Sequence, residues 1–156
     1  MNAPIELSRV PLWRRLAAAA YDGLVVVGLF FIASALVMPI SRGAITPEHP
    51  AAEILYRLYL LAIGFLFFAG FWTRNGQTLG MLAWRVKVVR SGDGTRITWP
   101  QALLRYLAAL LSWLPLGLGF WWSLWDAEGK TWHDRLSGTE LRRAASFAEI
   151  SNPKNS

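Results

Sequence analysis

Residues Leu16 to Ile40 read LAAAAYDGLVVVGLFFIASALVMPI, an apolar run with one ionisable side chain, Asp22. A helix rises ~1.5 Å per residue, so about 20 such residues cross a ~30 Å hydrocarbon layer. Few folds can accommodate such a run. A chain of 156 residues builds only a modest soluble core, and its composition, 54% hydrophobic and 17% charged, falls short of the ~25% charge of soluble domains. Basic residues precede the run and Ala33-Ser34-Ala35 has the form of a signal cleavage site. The run is nevertheless longer than a secretory h-region, continues through that triplet and contains Asp22, so a retained spanning helix is expected.

A second apolar segment covers about Ala52 to Trp72, with Glu53 and Arg57 placed i and i+4 to pair on one face. The connector Ser41 to Ala51 carries Gly43, Pro47 and Pro50, so the two segments should form an antiparallel helical hairpin. The third region, Gln101 to Trp125, is interrupted by Pro115, Gly117 and Gly119 and has Arg105 near its start. Proline removes a helix hydrogen bond and glycine loosens the backbone, so this segment should kink or re-enter. The expected fold is an all-α integral membrane helical bundle over residues 1–145, with membrane segments at about 16–40, 52–72 and 101–125. The polar stretch 146–156 should be a disordered tail.

Charge orients the chain. Outside the apolar cores, Arg9, Arg14 and Arg15 precede the first segment and Arg42 lies in the connector. Arg74, Arg85, Lys87, Arg90 and Arg96 follow the second segment. The positive-inside rule places the N-terminus and the 73–100 loop in the cytoplasm. Lys130, Arg135, Arg142, Arg143 and Lys154 make the C-terminal part cytoplasmic as well, whereas three full crossings would put it outside. A re-entrant third segment resolves the conflict, and a full crossing that breaks the rule is the alternative. Trp13, Trp72 and Trp99 stand at segment ends, where an amphipathic ring favours the headgroup level.

The loop after the second segment runs Gly76-Gln77-Thr78-Leu79-Gly80, then MLAWRVKVV, then Ser91-Gly92-Asp93-Gly94. Val86, Lys87 and Val88 alternate in the strand period and Asp93-Gly94 is a turn signal, so a hairpin or strand is expected there as a minor β element. A second loop begins Gly129-Lys130-Thr131-Trp132 and also leads into a basic, partly β-branched stretch. If the likeness of the two loops is structural, both lie on one membrane face. The ordered set of Arg15, Ala18 and Asp22, then Gly76 to Gly80 with Arg85 to Val89, then Ala102 to Arg105, then His133 to Thr139, resembles the RDD family of small multi-pass bacterial membrane proteins. The resemblance covers about residues 11–142. It implies that the family's arginine is Arg15, its first aspartate Asp22 and its second Asp134. It also implies a protein of the bacterial cytoplasmic membrane for which transport, and in some members cation/proton exchange, is suggested.

Asp22 is the most informative side chain. A carboxylate inside a spanning helix costs roughly 2.5–3.5 kcal/mol on insertion scales and ordinarily faces a bundle interior. Arg105 should reach a similar depth, so an Asp22–Arg105 contact is expected, with Arg15 in the same cluster. Arg15, Asp22, Arg105 and Asp134 are therefore the candidates for binding a ligand or coupling an ion, with helix packing as the alternative role. Asp134 could instead act as a helix cap or pair with Arg85 or Arg135. His133 beside it reads as a solvated loop residue able to titrate near neutral pH.

With no Cys, and His49 far from His133, no metal site or cofactor is expected. Gly76 to Gly80 lacks the Lys-Ser/Thr of a phosphate loop, and no nucleophile arrangement is legible, so an enzyme is not expected. The pI of about 10.3 does not indicate nucleic acid, because the basic residues flank apolar spans. The partners expected are anionic lipid headgroups, together with further copies of this chain or a membrane protein.

Overall fold

The computed structural model describes residues 10–41, 45, 48–113, 118–126 and 129–144. The tail 146–156, Pro115, Gly117 and most of the 42–47 connector lie outside them. Helix α1 spans Leu12–Ser41 and α2 spans Pro50–Arg74. Proline at the start of α2, with Glu53 in its first turn and Arg74 in its last, suits the helix ends and their dipole. The two helices run antiparallel. Ser34 and Tyr56 share a hydrogen bond of 2.6 Å, and Tyr59 donates to the Ala33 carbonyl. Glu53 and Arg57 pair along α2 as expected.

Both helices are long and apolar enough to cross a bilayer. Their outer faces are bare: Leu24 is 75% exposed, Phe31 74% and Ile40 79%. Contiguous apolar surface of this size marks a membrane or partner contact. The buried cluster lies instead at one end of the pair, where Ala18 of α1 and Ala69 and Trp72 of α2 meet Val86, Ala102 and Tyr106.

The elements beyond α2 gather at that end and close it with a cap. They are α3 (Leu79–Ala83), β1 (Val86–Arg90), α4 (Trp99–Trp113), α5 (Leu118–Trp121), a 3-10 turn at Trp122–Leu124, α6 (Trp132–Ser137) and β2 (Thr139–Arg143). Strand β1 pairs antiparallel with β2, Val88 opposite Leu141 and Arg90 opposite Thr139. A hairpin of β1 with residues 95–99 does not form. Gly92 and Gly94 turn the chain at positive φ and Arg90 N–H reaches the Thr95 carbonyl. Beyond that, Gln101 caps Thr98 and the Ala102 N–H bonds back to Thr98, which commits the chain to α4.

Helix α4 has 15 residues, about 22 Å at ~1.5 Å each, too short to span. Helix α5 folds back on it: a Cβ on Gly119 would lie 2.4 Å from Ser112 Oγ. Helix α6 then sits against the beginning of α4, where Arg105 donates to Asp134 and Thr139. The chain therefore returns to the end from which α4 started.

Candidate functional site

The two likened loops are the same device used twice. Gly76 and Gly129 take positive φ of 71° and 67°, conformations that favour glycine. Two residues later Thr78 and Thr131 are extended N-caps with φ of −80° and −82°, and each hydroxyl accepts the N–H three residues on, from Met81 and from Asp134. Each cap opens a short helix that leads into a strand, and the two strands pair with each other. Both loops thus lie at one end of the α1–α2 pair.

Each short helix also receives a carboxylate at its N-terminus, from different sources. For α6 it comes from within: the Asp134 carboxylate accepts the Thr131 N–H at 3.1 Å and completes a capping box. For α3 it comes from α1. Asp22 accepts the Thr78 hydroxyl at 2.5 Å and the Gly80 N–H at 2.8 Å. This approach is close: a Cβ on Gly80 would lie 2.2 Å from the Ala18 carbonyl oxygen.

Asp134 is the centre of a buried clasp. Its Oδ2 takes Arg15 Nη1 at 2.8 Å and its Oδ1 takes Arg105 Nη1 at 2.5 Å, so one carboxylate ties α1, α4 and α6 together. Arg15 also donates to the carbonyls of Val10 and Gly129, and Arg105 lies over the Trp72 ring at 5.2 Å. Burial alone would raise the Asp134 carboxyl, but Arg105 and Arg15 hold it well below the ordinary carboxylate range. His133 is buried beside them, and that burial pushes its imidazole down to about 3 despite the nearby Asp134 charge, leaving it neutral at physiological pH.

All four sequence candidates are buried, but not in the expected pairing. The Asp22–Arg105 contact is replaced by two others: Asp22 satisfies the α3 N-terminus and Arg105 goes to Asp134. A depth argument along helix axes could not include α3, whose free N–H and capping hydroxyl approach α1 from the side. Nor does Asp134 pair with Arg85 or Arg135, the latter turning to Asp126. His133 is not a solvated loop residue, since α6 packs it inward at 4% exposure. Trp72 is likewise inside, 5% exposed under Arg105, whereas Trp13 and Trp99 are half exposed. Thr78 was missed as a site residue, although Gly-x-Thr before an apolar run is a readable N-cap signal.

A cavity of about 260 Å³ lies between α1, α2 and the cap, with Arg15, Asp22, Arg105 and His133 in a wall otherwise made of apolar groups such as Val26, Phe68, Met81 and Val86. Among the described residues no three His, Asp or Glu side chains gather closely enough to hold a metal ion.

Two helices long and apolar enough to cross a membrane are closed at one end by an ion-paired cap that uses one loop device twice. The chain belongs to the RDD family, whose model matches residues 9–138. It is 31% identical over 90 residues to an uncharacterized protein of Rickettsia prowazekii (strain Madrid E), a match covering 55% of this chain and 50% of that one. The chain thus spans about half the length of that relative. No solved structure matches it.

Proposed function

We propose that this protein resides in the bacterial cytoplasmic membrane and moves or exchanges a small solute across it, binding the solute in the cavity beneath the cap. The reading is of a non-enzymatic, multi-pass protein. Helices α1 and α2 cross the bilayer, the α4–α5 segment re-enters, and the N-terminus, both strands and the cap face the cytoplasm. The observation that carries it is the cavity itself, in which charged side chains from α1 and α4 and the neutral His133 of α6 meet an apolar wall at the end of two bilayer-length helices. The positive-inside count agrees with this orientation. Exposed Arg74, Arg85 and Arg96 on the same side suit anionic headgroups, each contributing about 1 kcal/mol. Two crossing helices enclose little on their own, so the pathway is completed by further copies of the chain.

The test is solute flux into proteoliposomes by the wild type and by Asp22→Asn. Flux that the substitution leaves unchanged removes Asp22 from the mechanism. Cysteine placed at Ser146 in this Cys-free chain reports topology, and labelling only from outside would overturn re-entry. One observation favours a second reading, a non-transporting membrane module that assembles a partner: both carboxylates are engaged in bonds that hold the cap together. Crosslinking that recovers a stoichiometric partner, with no flux, would establish that reading instead.

A further inference from the structure

Arg105 is 1% exposed, and the hydrogen bonds it makes leave from a single nitrogen. Nη1 donates to Asp134 at 2.5 Å and to Thr139 at 2.6 Å. Its Nε–H is buried and has no acceptor among the described residues, and Nη2 donates to none of them. Nε and Nη2 form the side edge of the guanidinium, whose two parallel N–H groups match the two oxygens of a carboxylate or phosphate. The Trp72 ring lies against this arginine, and its indole N–H is also buried without an acceptor among the described residues. Both residues line the cavity.

The acidic groups on this side are already taken. Asp22 uses one oxygen for Thr78 and the other for Gly80, and Asp134 uses one for Arg105 and the other for Arg15 and Thr131. Donors are left over while every one of these carboxylate oxygens already has a partner, and buried donors without acceptors are costly. A cation entering here would find guanidinium groups and engaged carboxylates. An oxyanion seated on that edge would supply the acceptor that the buried Nε–H lacks among the described residues, with the Trp72 ring packed against the same guanidinium.

From this bookkeeping we infer that the cavity binds a small organic carboxylate, its two oxygens on the Nε–Nη2 edge of Arg105 and its short apolar body against Val26, Phe68 and Met81. A cavity of ~150 Å³ holds a benzene ring, so 260 Å³ has room for a ring with its carboxyl group. Two arginines face two aspartates around the site and His133 is neutral, so hydrogen-bond geometry selects the anion and net charge does not. The inference rests on the cavity being the solute site of the proposed function and names the class of solute, but it concerns binding and stands apart from flux.

The full chain in detergent micelles is titrated calorimetrically with benzoate, with benzylammonium as the probe of similar shape and opposite charge, and with inorganic phosphate and phosphatidylglycerol. Benzoate should bind and raise the melting midpoint, and benzylammonium should do neither. Trp72→Phe removes one donor and neither ion pair, and should weaken benzoate about tenfold. Arg105→Lys loses the planar edge and should weaken it by roughly 30-fold or more. Because Arg105→Lys also disturbs the Asp134 clasp, Trp72→Phe is the deciding variant if the other does not fold. Absence of benzoate binding, equal binding of benzylammonium, or benzoate affinity unchanged in folded Trp72→Phe would each overturn the inference. Binding of phosphate or phosphatidylglycerol without benzoate would assign the edge to a phosphate group and overturn it too. Benzoate binding without flux would leave the site standing and end the transport reading, while solute flux by a protein that binds no benzoate would do the reverse.

Discussion

Replacing Asp134 by Asn keeps the shape of the side chain and an oxygen for the Thr131 N–H, and removes the charge between Arg15 and Arg105. Both arginines are buried, at 7% and 1% exposure, and each meets the carboxylate through a short bond, 2.8 Å and 2.5 Å. At an effective dielectric constant of about 20, unit charges ~4 Å apart attract by ~4 kcal/mol. Two such pairs, less the desolvation of burying them, are consistent with the roughly 3–5 kcal/mol lost when one member of a buried ion pair is removed. Asp134→Asn should therefore unfold that much more easily, read by denaturant or detergent titration of the purified protein at pH 7. The pH dependence has a definite sign. The folded carboxyl is held below its unfolded value of ~3.9, so the clasp's contribution is complete above that pH and fades as pH falls below it. Asp134→Asn should not show this acid limb. A variant within about 1 kcal/mol of wild type at pH 7 would refute the claim that this carboxylate holds α1, α4 and α6 together.

Three further predictions concern other residues. His133 has a folded value of about 3 against ~6.5 unfolded. Between those pH values the unfolded chain takes up a proton that the folded one refuses, so stability should decline by up to about 1.4 kcal/mol per pH unit on acidification. His133→Gln should flatten that slope in the same titration. Gly80→Ala places a methyl group against the Ala18 carbonyl and the Asp22 carboxylate. It should cost about 1–3 kcal/mol by prising α3 from α1, measured as a lower melting midpoint. Glu53→Ala breaks only an exposed pair on α2 and should change stability by less than ~0.5 kcal/mol.

Much of this architecture is readable in the residues, at the scale where one physical effect dominates. Leu16 to Ile40 and Ala52 to Trp72 are apolar on almost every side, and the structure extends both as long helices, with Pro39 falling only in the last turn of α1. The Gly-x-Thr loops are legible as caps, since positive φ and a hydroxyl at a helix start each select a residue type. Pairing is harder to read. The partner of β1 lies some 50 residues away, and alternation in Val86 to Val88 says that a strand exists without saying what it meets. Arg15, Asp22, Arg105 and Asp134 all stand out as charges near apolar segments. Which acid takes which arginine depends on α3 and α6, short helices whose position is set by tertiary packing. The burial of His133 follows from the same packing and leaves no local trace.

The Arg15–Asp134 bond joins residues 119 positions apart. At synthesis rates of roughly 5–20 residues per second, the first helix exists for on the order of ten seconds before its ionic partner has been made. During that interval Arg15 has no permanent counter-charge, and Asp22 waits for Thr78 and Gly80, 56 and 58 residues downstream. The cap is therefore assembled from its latest-made pieces. A chain that stalls before α6 would expose an unpaired arginine at the root of an apolar helix, the kind of feature by which quality-control proteases could distinguish an unfinished copy from a finished one.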